Sequence, residues 1–186
     1  YPEGIVAAFK ARLTHVNVNY RYIENELVYL IDNSDATVCI YAAEFAPQIQ
    51  AIRDQLPLVK QWIQVEDGHT GLDDVVSYED YASTGEGKSL GGDRPGTDQL
   101  FIYTGGTTGM PKGVMWNHQD IFFAAMGGGD LDQTQGPISE PGQLLERLPE
   151  APLVVLPTPP FMHAAAQWTA FTALFGGGKI VLSAGG

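Results

Sequence analysis

Residues 103–113 read YTGGTTGMPKG, and their composition suits one kind of chemistry. Gly105, Gly106, Gly109 and Gly113 permit close backbone approach and positive φ angles. Thr104, Thr107 and Thr108 set hydroxyl donors between them, and Lys112 adds a positive charge on a flexible stem. Converging N–H and O–H donors beside an ammonium match the oxygens of a polyphosphate. The spacing excludes the common nucleotide loops. A mononucleotide loop needs GxxxxGK[ST] ahead of a helix, whereas Met110 and Pro111 separate Gly109 from Lys112, Gly113 follows the lysine, and a strand-like VMW comes next. A dinucleotide fingerprint needs GxGxxG running into a helix with an acidic residue about 20 positions later, and neither part is present. The competing reading is a solvated glycine turn, against which the Thr-Thr pair and the ordered Pro-Lys-Gly both argue.

Other reactive side chains are sparse. His163 sits in PPFMHAAA, where a histidine beside two prolines reads as a packed or turn residue before a base. Phe161, Met162 and Trp168 could form an apolar wall, although aromatics at helical spacing are first of all core. His118 follows Asn117 at the start of an apolar-periodic run and reads as a capping or packing residue. His15, His69, His118 and His163 are widely separated and Cys39 is the single cysteine, so no metal site is expected. Cys39 lies in the apolar TVCIYAA, reads as core, and fits a reducing compartment. The pairs Glu66-Asp67 and Asp73-Asp74 read as solvent-facing; adjacency on a loop does not make opposed catalytic carboxylates.

The elements that must position these groups follow from periodicity in the 186 residues. Leu27, Leu30 and Ile31 predict a helix over about 24–33, ATVCIYA a short buried strand, and EFAPQIQAIRDQL a helix with Pro47 in its first turn. KQWIQV reads as a strand ending at the Asp67-Gly68 turn, and SYEDYA as a helical turn. Residues 84–98 form a Gly-rich connection. QLFIY and VMW are strands flanking the glycine loop, and NHQDIFFAAM is a helix with Asn117 as its cap. Residues 127–152 form a second long polar connection. LVVLP is expected as a buried strand, MHAAAQWTAFTALF as a helix and KIVLS as a last strand. This alternation predicts an α/β fold of parallel or mostly parallel sheets with flanking helices. Residues 1–98 and 99–186 are expected to be two incomplete parts of one domain, since helix and strand patterns are cut at both ends, as in an excised piece.

Ten basic against twenty-two acidic residues give a formal charge of −12, and the basic residues are scattered, which argues against nucleic acid as a partner. The first residues carry no leader pattern, and the uncharged stretch 151–178 is broken by four prolines, so no transmembrane span is expected. An exposed sheet edge at KIVLS could promote self-association.

The run 103–113 resembles the phosphate-binding signature of adenylate-forming enzymes, YTSGTTGxPKG, with Gly105 where serine is frequent. VNVNYRYIENELVYLIDNSDA, GVMWNHQDI and LPTPPFMHAAAQWTAFTALFGGGKIVL resemble further segments of the acyl-CoA synthetase branch, so the resemblance spans almost the whole chain. It implies an ATP-dependent acid–thiol ligase of the fatty-acid–CoA class. A carboxylic acid of the fatty type would attack the α-phosphorus of Mg-ATP, and the resulting acyl-AMP would pass its acyl group to coenzyme A. It further implies that Thr104, Gly105, Gly106, Thr107, Thr108, Gly109 and Lys112 hold the β- and γ-phosphates, with Lys112 and Thr107 as catalytic groups and His163 gating the acid substrate. Mg2+ would arrive with ATP, because the acidic residue that engages it in the family has no match here, nor do the adenine and ribose contacts or the later catalytic lysine. These 186 residues alone are therefore expected to be inactive. A cytoplasmic enzyme, with peripheral membrane contact, is the implied location. A peptide-synthetase adenylation domain, a luciferase-like enzyme, or a non-catalytic phosphate-binding or interaction module remain open alternatives.

Overall fold

The sequence from Glu24 to Asn33 forms helix α2, whose buried stripe is Leu27, Leu30 and Ile31. Its start has no Ser or Asp cap. Instead the Glu26 carboxylate accepts the Ile23 N–H at 3.0 Å, and Glu24 and Glu26 place negative charge on the helix's positive end. The structure, a computed structural model, describes residues 1–106 and 109–183. It forms two compact units, one from Tyr1–Asn17, Asp93–Ile102 and Val114–Gly186, the other from Val18–Gly92 and Tyr103–Gly113.

The second unit is built on a parallel sheet of β2 (Val38–Ala42), β3 (Gln61–Val65) and β4 (Val76–Ser77), in that order. Val38 pairs with Gln61 and Ile63 with Val76. β2 was expected to be buried, but it is an edge strand: Val38 and Ile40 point outward and Tyr41 inward. Helix α3 (Ala46–Ile52) carries Pro47 in its first turn, where the missing N–H costs nothing, and lies between single 3-10 turns. Ile49 and Ile52 bury its apolar side, and Leu56, after the second 3-10 turn, is buried too. Helix α4 (Tyr78–Ser83) follows β4 directly, with Ser77 as its cap. Cys39 is half-buried, and burial pushes its thiol up to about 12, which keeps it protonated at neutral pH.

In the first unit, α1 (Pro2–Lys10) leads to β1 (His15–Val16), which pairs in parallel with β5 (Gln99–Gly106). Ile5, Leu100, Ile102, Ile121, Met126 and Phe171 form the core, with Phe9, Trp168 and Phe175 packed around it. Helices α5 (His118–Ala125) and α7 (Ala164–Phe175) supply much of that core. The connection 127–152 is folded rather than open. Gly127, Gly128, Gly129 and Gly136 take left-handed φ, a Cβ at Gly129 would lie 2.7 Å from Ile138, and the Asp130 carboxylate accepts the N–H groups of Thr134, Gln135 and Gly136. Arg147, just after the short α6 (Gln143–Glu146), donates to the Gly136 carbonyl at 2.6 Å. β7 (Val154–Val155) and β8 (Lys179–Ile180) pair in parallel but hold two residues each. Val154 is 65% exposed and Leu156 is exposed too, so the strand expected to be buried at LVVLP is short and open among the described residues, while Val181 and Leu182 are exposed beside β8, where an exposed edge was expected.

Strand β6 (Gly109–Asn117) completes the sheet order β1-β5-β6. Only two residues separate β5 from β6, so these neighbours must run antiparallel. The described glycine-rich residues, 103–106 and 109–113, therefore belong to the two strands of a hairpin, which reach further than QLFIY and VMW suggested.

Candidate functional site

The hairpin is anchored from beneath by Tyr103. Its ring is buried, and its hydroxyl donates to Asn33 Oδ1 at the end of α2, at 2.8 Å. Burial, with Tyr29 and Asp35 nearby, holds the phenol above its ordinary pKa, which keeps the proton needed for that bond. Gly113 lies against the ring: a Cβ there would sit 2.9 Å from Tyr103 Cζ. Pro111 is fully buried and fixes the start of β6.

Other residues of the hairpin are open to solvent. Gly105 and Gly109 are exposed, and a Cβ at either would meet nothing within 4 Å. Gly109 needs glycine for its φ of +152°, whereas Gly105 has neither a positive φ nor a close neighbour to require it. Packing thus leaves bare backbone at Gly105. Thr104 and Lys112 are also exposed, and Lys112 pairs with no carboxylate among the described residues. The hairpin brings Thr104, Gly105, Gly106, Gly109 and Lys112 onto one short stretch; Thr107 and Thr108 lie outside the described residues. Exposed backbone N–H groups and an ammonium with no carboxylate partner among the described residues are groups that can attract anionic oxygens.

His163 belongs to the other unit, at the N-cap position of α7, with extended backbone and an exposed ring that makes no capping bond. The turn that carries it is tied by two buried amides absent from the sequence-based candidates. Asn17 Nδ2 donates to the Met162 carbonyl at 2.6 Å, and Gln167 Nε2 to the Phe161 carbonyl at 2.7 Å. A glutamine in an otherwise apolar helix was the available signal for the second. Met162 is core; Trp168 lines an apolar cavity of about 340 Å³ with Ala125, Val155 and Thr172, edge-on to Trp116.

The other histidines pack. The His15 ring stands edge-on to Tyr1 and Phe9, and burial pushes it down to about 4. His118 lies 4.4 Å from the Phe9 ring and is also lowered by burial. Asn117 occupies the N-cap of α5 as expected, but its side chain donates to Asp120 rather than capping a backbone N–H. Among the described residues there is no cluster of three His, Cys, Asp or Glu able to hold a metal, and no helix long and apolar enough to cross a membrane.

Comparison with known proteins extends these observations. The chain is 40% identical over 185 residues to a 3-oxocholest-4-en-26-oate–CoA ligase of Rhodococcus rhodochrous, covering 97% of this chain and 33% of that one. It is 40% identical over 186 residues to the medium-chain acyl-CoA ligase Mig of Mycobacterium avium, with the same coverage. A red-emitting luciferase from Phrixothrix hirtus shares the fold, with a TM-score of 0.71 at 22% identity over 96% of this chain and 33% of that one. The chain spans about a third of the length of these curated relatives. The family described as AMP-binding enzyme matches residues 1–186, glycine hairpin included, and the chain belongs to that family.

Proposed function

We propose that the protein is an ATP-dependent acyl-CoA ligase whose 103–113 hairpin holds the phosphates of ATP. The observation that carries this is the hairpin's exposed part, where open backbone at Gly105 and a Lys112 that pairs with no carboxylate among the described residues belong to one hairpin framed by Tyr103 and Pro111. A carboxylate oxygen attacks the α-phosphorus, the bond to the bridging oxygen of pyrophosphate breaks, and an acyl adenylate forms. The thiol of coenzyme A then attacks the acyl carbon, AMP leaves, and the thiol proton passes to solvent. Lys112 and Thr107 offset charge that grows on the departing pyrophosphate, with Thr104, Gly106, Thr108 and Gly109 orienting its oxygens. Such contacts speed the reaction insofar as they strengthen in the transition state. Mg2+ accompanies ATP, and His163 gates the acid. Both curated relatives above carry names of CoA ligases, one for a steroid side-chain acid and one for medium-chain acids, which supports an apolar, fatty-type carboxylic acid as substrate. A cytoplasmic setting with peripheral membrane contact suits such a substrate.

The test is pyrophosphate release by the full-length protein from ATP and a panel of carboxylic acids, with and without coenzyme A. Lys112→Ala should lower kcat/KM by on the order of 100-fold, the usual effect of removing one transition-state charge partner. Thioester formation lowered in this way supports the ligase reading. No adenylate from any acid, with ATP binding unchanged in Lys112→Ala, would leave the hairpin without its assigned role.

A further inference from the structure

Four consecutive carbonyls lead into α7, and each has a donor. The His163 N–H takes the Pro160 carbonyl at 2.9 Å, Gln167 Nε2 takes Phe161, Asn17 Nδ2 takes Met162, and the Ala166 N–H takes His163. Two of these donors are side-chain amides only 3% exposed, and one comes from a residue 145 positions away in the chain. Burying an amide is unfavourable unless its hydrogen bonds are made, so an apolar side chain would occupy a buried position at lower cost. What the amides add is a fixed position for two backbone carbonyls. The residue that benefits is His163: its exposed ring makes no capping bond, so its place is set by the backbone of this turn.

We infer that Asn17 and Gln167 are positioning residues that set His163 and, through it, the KM for the carboxylic acid; the inference rests on the reading of His163 as the gate for that substrate. In the full-length enzyme, Asn17→Leu and Gln167→Met put an apolar side chain of similar length in place of each amide and remove the donor. Each should raise the acid KM about five-fold, the effect of losing one hydrogen bond, while kcat and the KM for ATP stay within about two-fold. The decisive step is a double-mutant cycle. In a His163→Ala background, which itself raises the acid KM, neither substitution should raise it further. A rise that persists undiminished in that background would show that the amides act on the fold alone and would overturn the inference. So would an unchanged acid KM in both single variants when His163→Ala raises it. An unchanged acid KM in His163→Ala would instead remove the gating reading, and the inference with it, a pattern distinct from the other two. Melting temperatures accompany each variant; should one fail to fold, the other, bound to the adjacent carbonyl, provides the same cycle.

Discussion

The glycines of the hairpin divide by what surrounds them, and the division predicts which are there for the fold. Gly113 packs on Tyr103, a ring held at both ends by burial and by Asn33, so it has little freedom to yield. Gly113→Ala should destabilise the protein by about 1–3 kcal/mol through overpacking. Gly105 faces open space with no positive φ, so Gly105→Val should change stability by no more than about 0.5 kcal/mol. If phosphate approaches the backbone there, the added side chain still raises the KM for ATP several-fold. Thermal denaturation beside ATP kinetics checks both. Equal destabilisation by the two substitutions would show that Gly105 also serves packing, and an unchanged KM for ATP in Gly105→Val would argue against phosphate approach at that position.

At the scale of elements, the segment after α5 offers the clearest test, because its order depends on a few polar contacts instead of a ladder. Arg147 Nη1 bridges the carbonyls of Gly129 and Gly136, closing the turn that Asp130 organises. Arg147→Met should speed hydrogen exchange at Thr134, Gln135 and Gly136 about ten-fold, the local opening that follows loss of a charged hydrogen bond, and leave α7 protected. Uniform acceleration across α7 would show that the segment supports the core instead. Which elements could be read from sequence follows the same logic. The bounds of α2 were legible because Leu27, Leu30 and Ile31 repeat at helical spacing and one face suffices to bury them. The exposure of β2 and β7 was not, since an apolar run says nothing of how many neighbours will cover it. The hairpin strands were underestimated because glycine weakens a strand locally while cross-strand pairing, a property of the partner, restores it. The phosphate-type residues were legible as a contiguous motif. Asn17 was not, because its partner carbonyl is remote in sequence.

For the molecule as a whole, the buried histidines make stability depend on pH in a direction that can be worked out. Desolvation lowers His15 from 6.5 to about 4 in the folded state, and His118 is lowered by the same cause. Above pH 6.5 both states hold these rings neutral and stability is unaffected. As pH falls through 6.5 the unfolded chain takes up protons that the folded chain refuses, so stability declines, and for His15 the decline levels off near pH 4. A shift of this size corresponds to a loss on the order of 3 kcal/mol across that interval. The ion-paired Asp98 and Asp74, lowered by hydrogen bonds to Arg12 and Arg53, add a loss of the same sign at still lower pH, below their ordinary 3.8. The two windows are therefore separable. His15→Phe keeps an aromatic ring against Tyr1 and Phe9 and removes the titrating nitrogen, so it should flatten the fall in melting temperature between pH 6.5 and 4 and leave the steeper fall below pH 4 in place. A wild-type melting temperature constant from pH 7 to 4 would mean that His15 reaches water in the folded state, against the burial that places it beside β5.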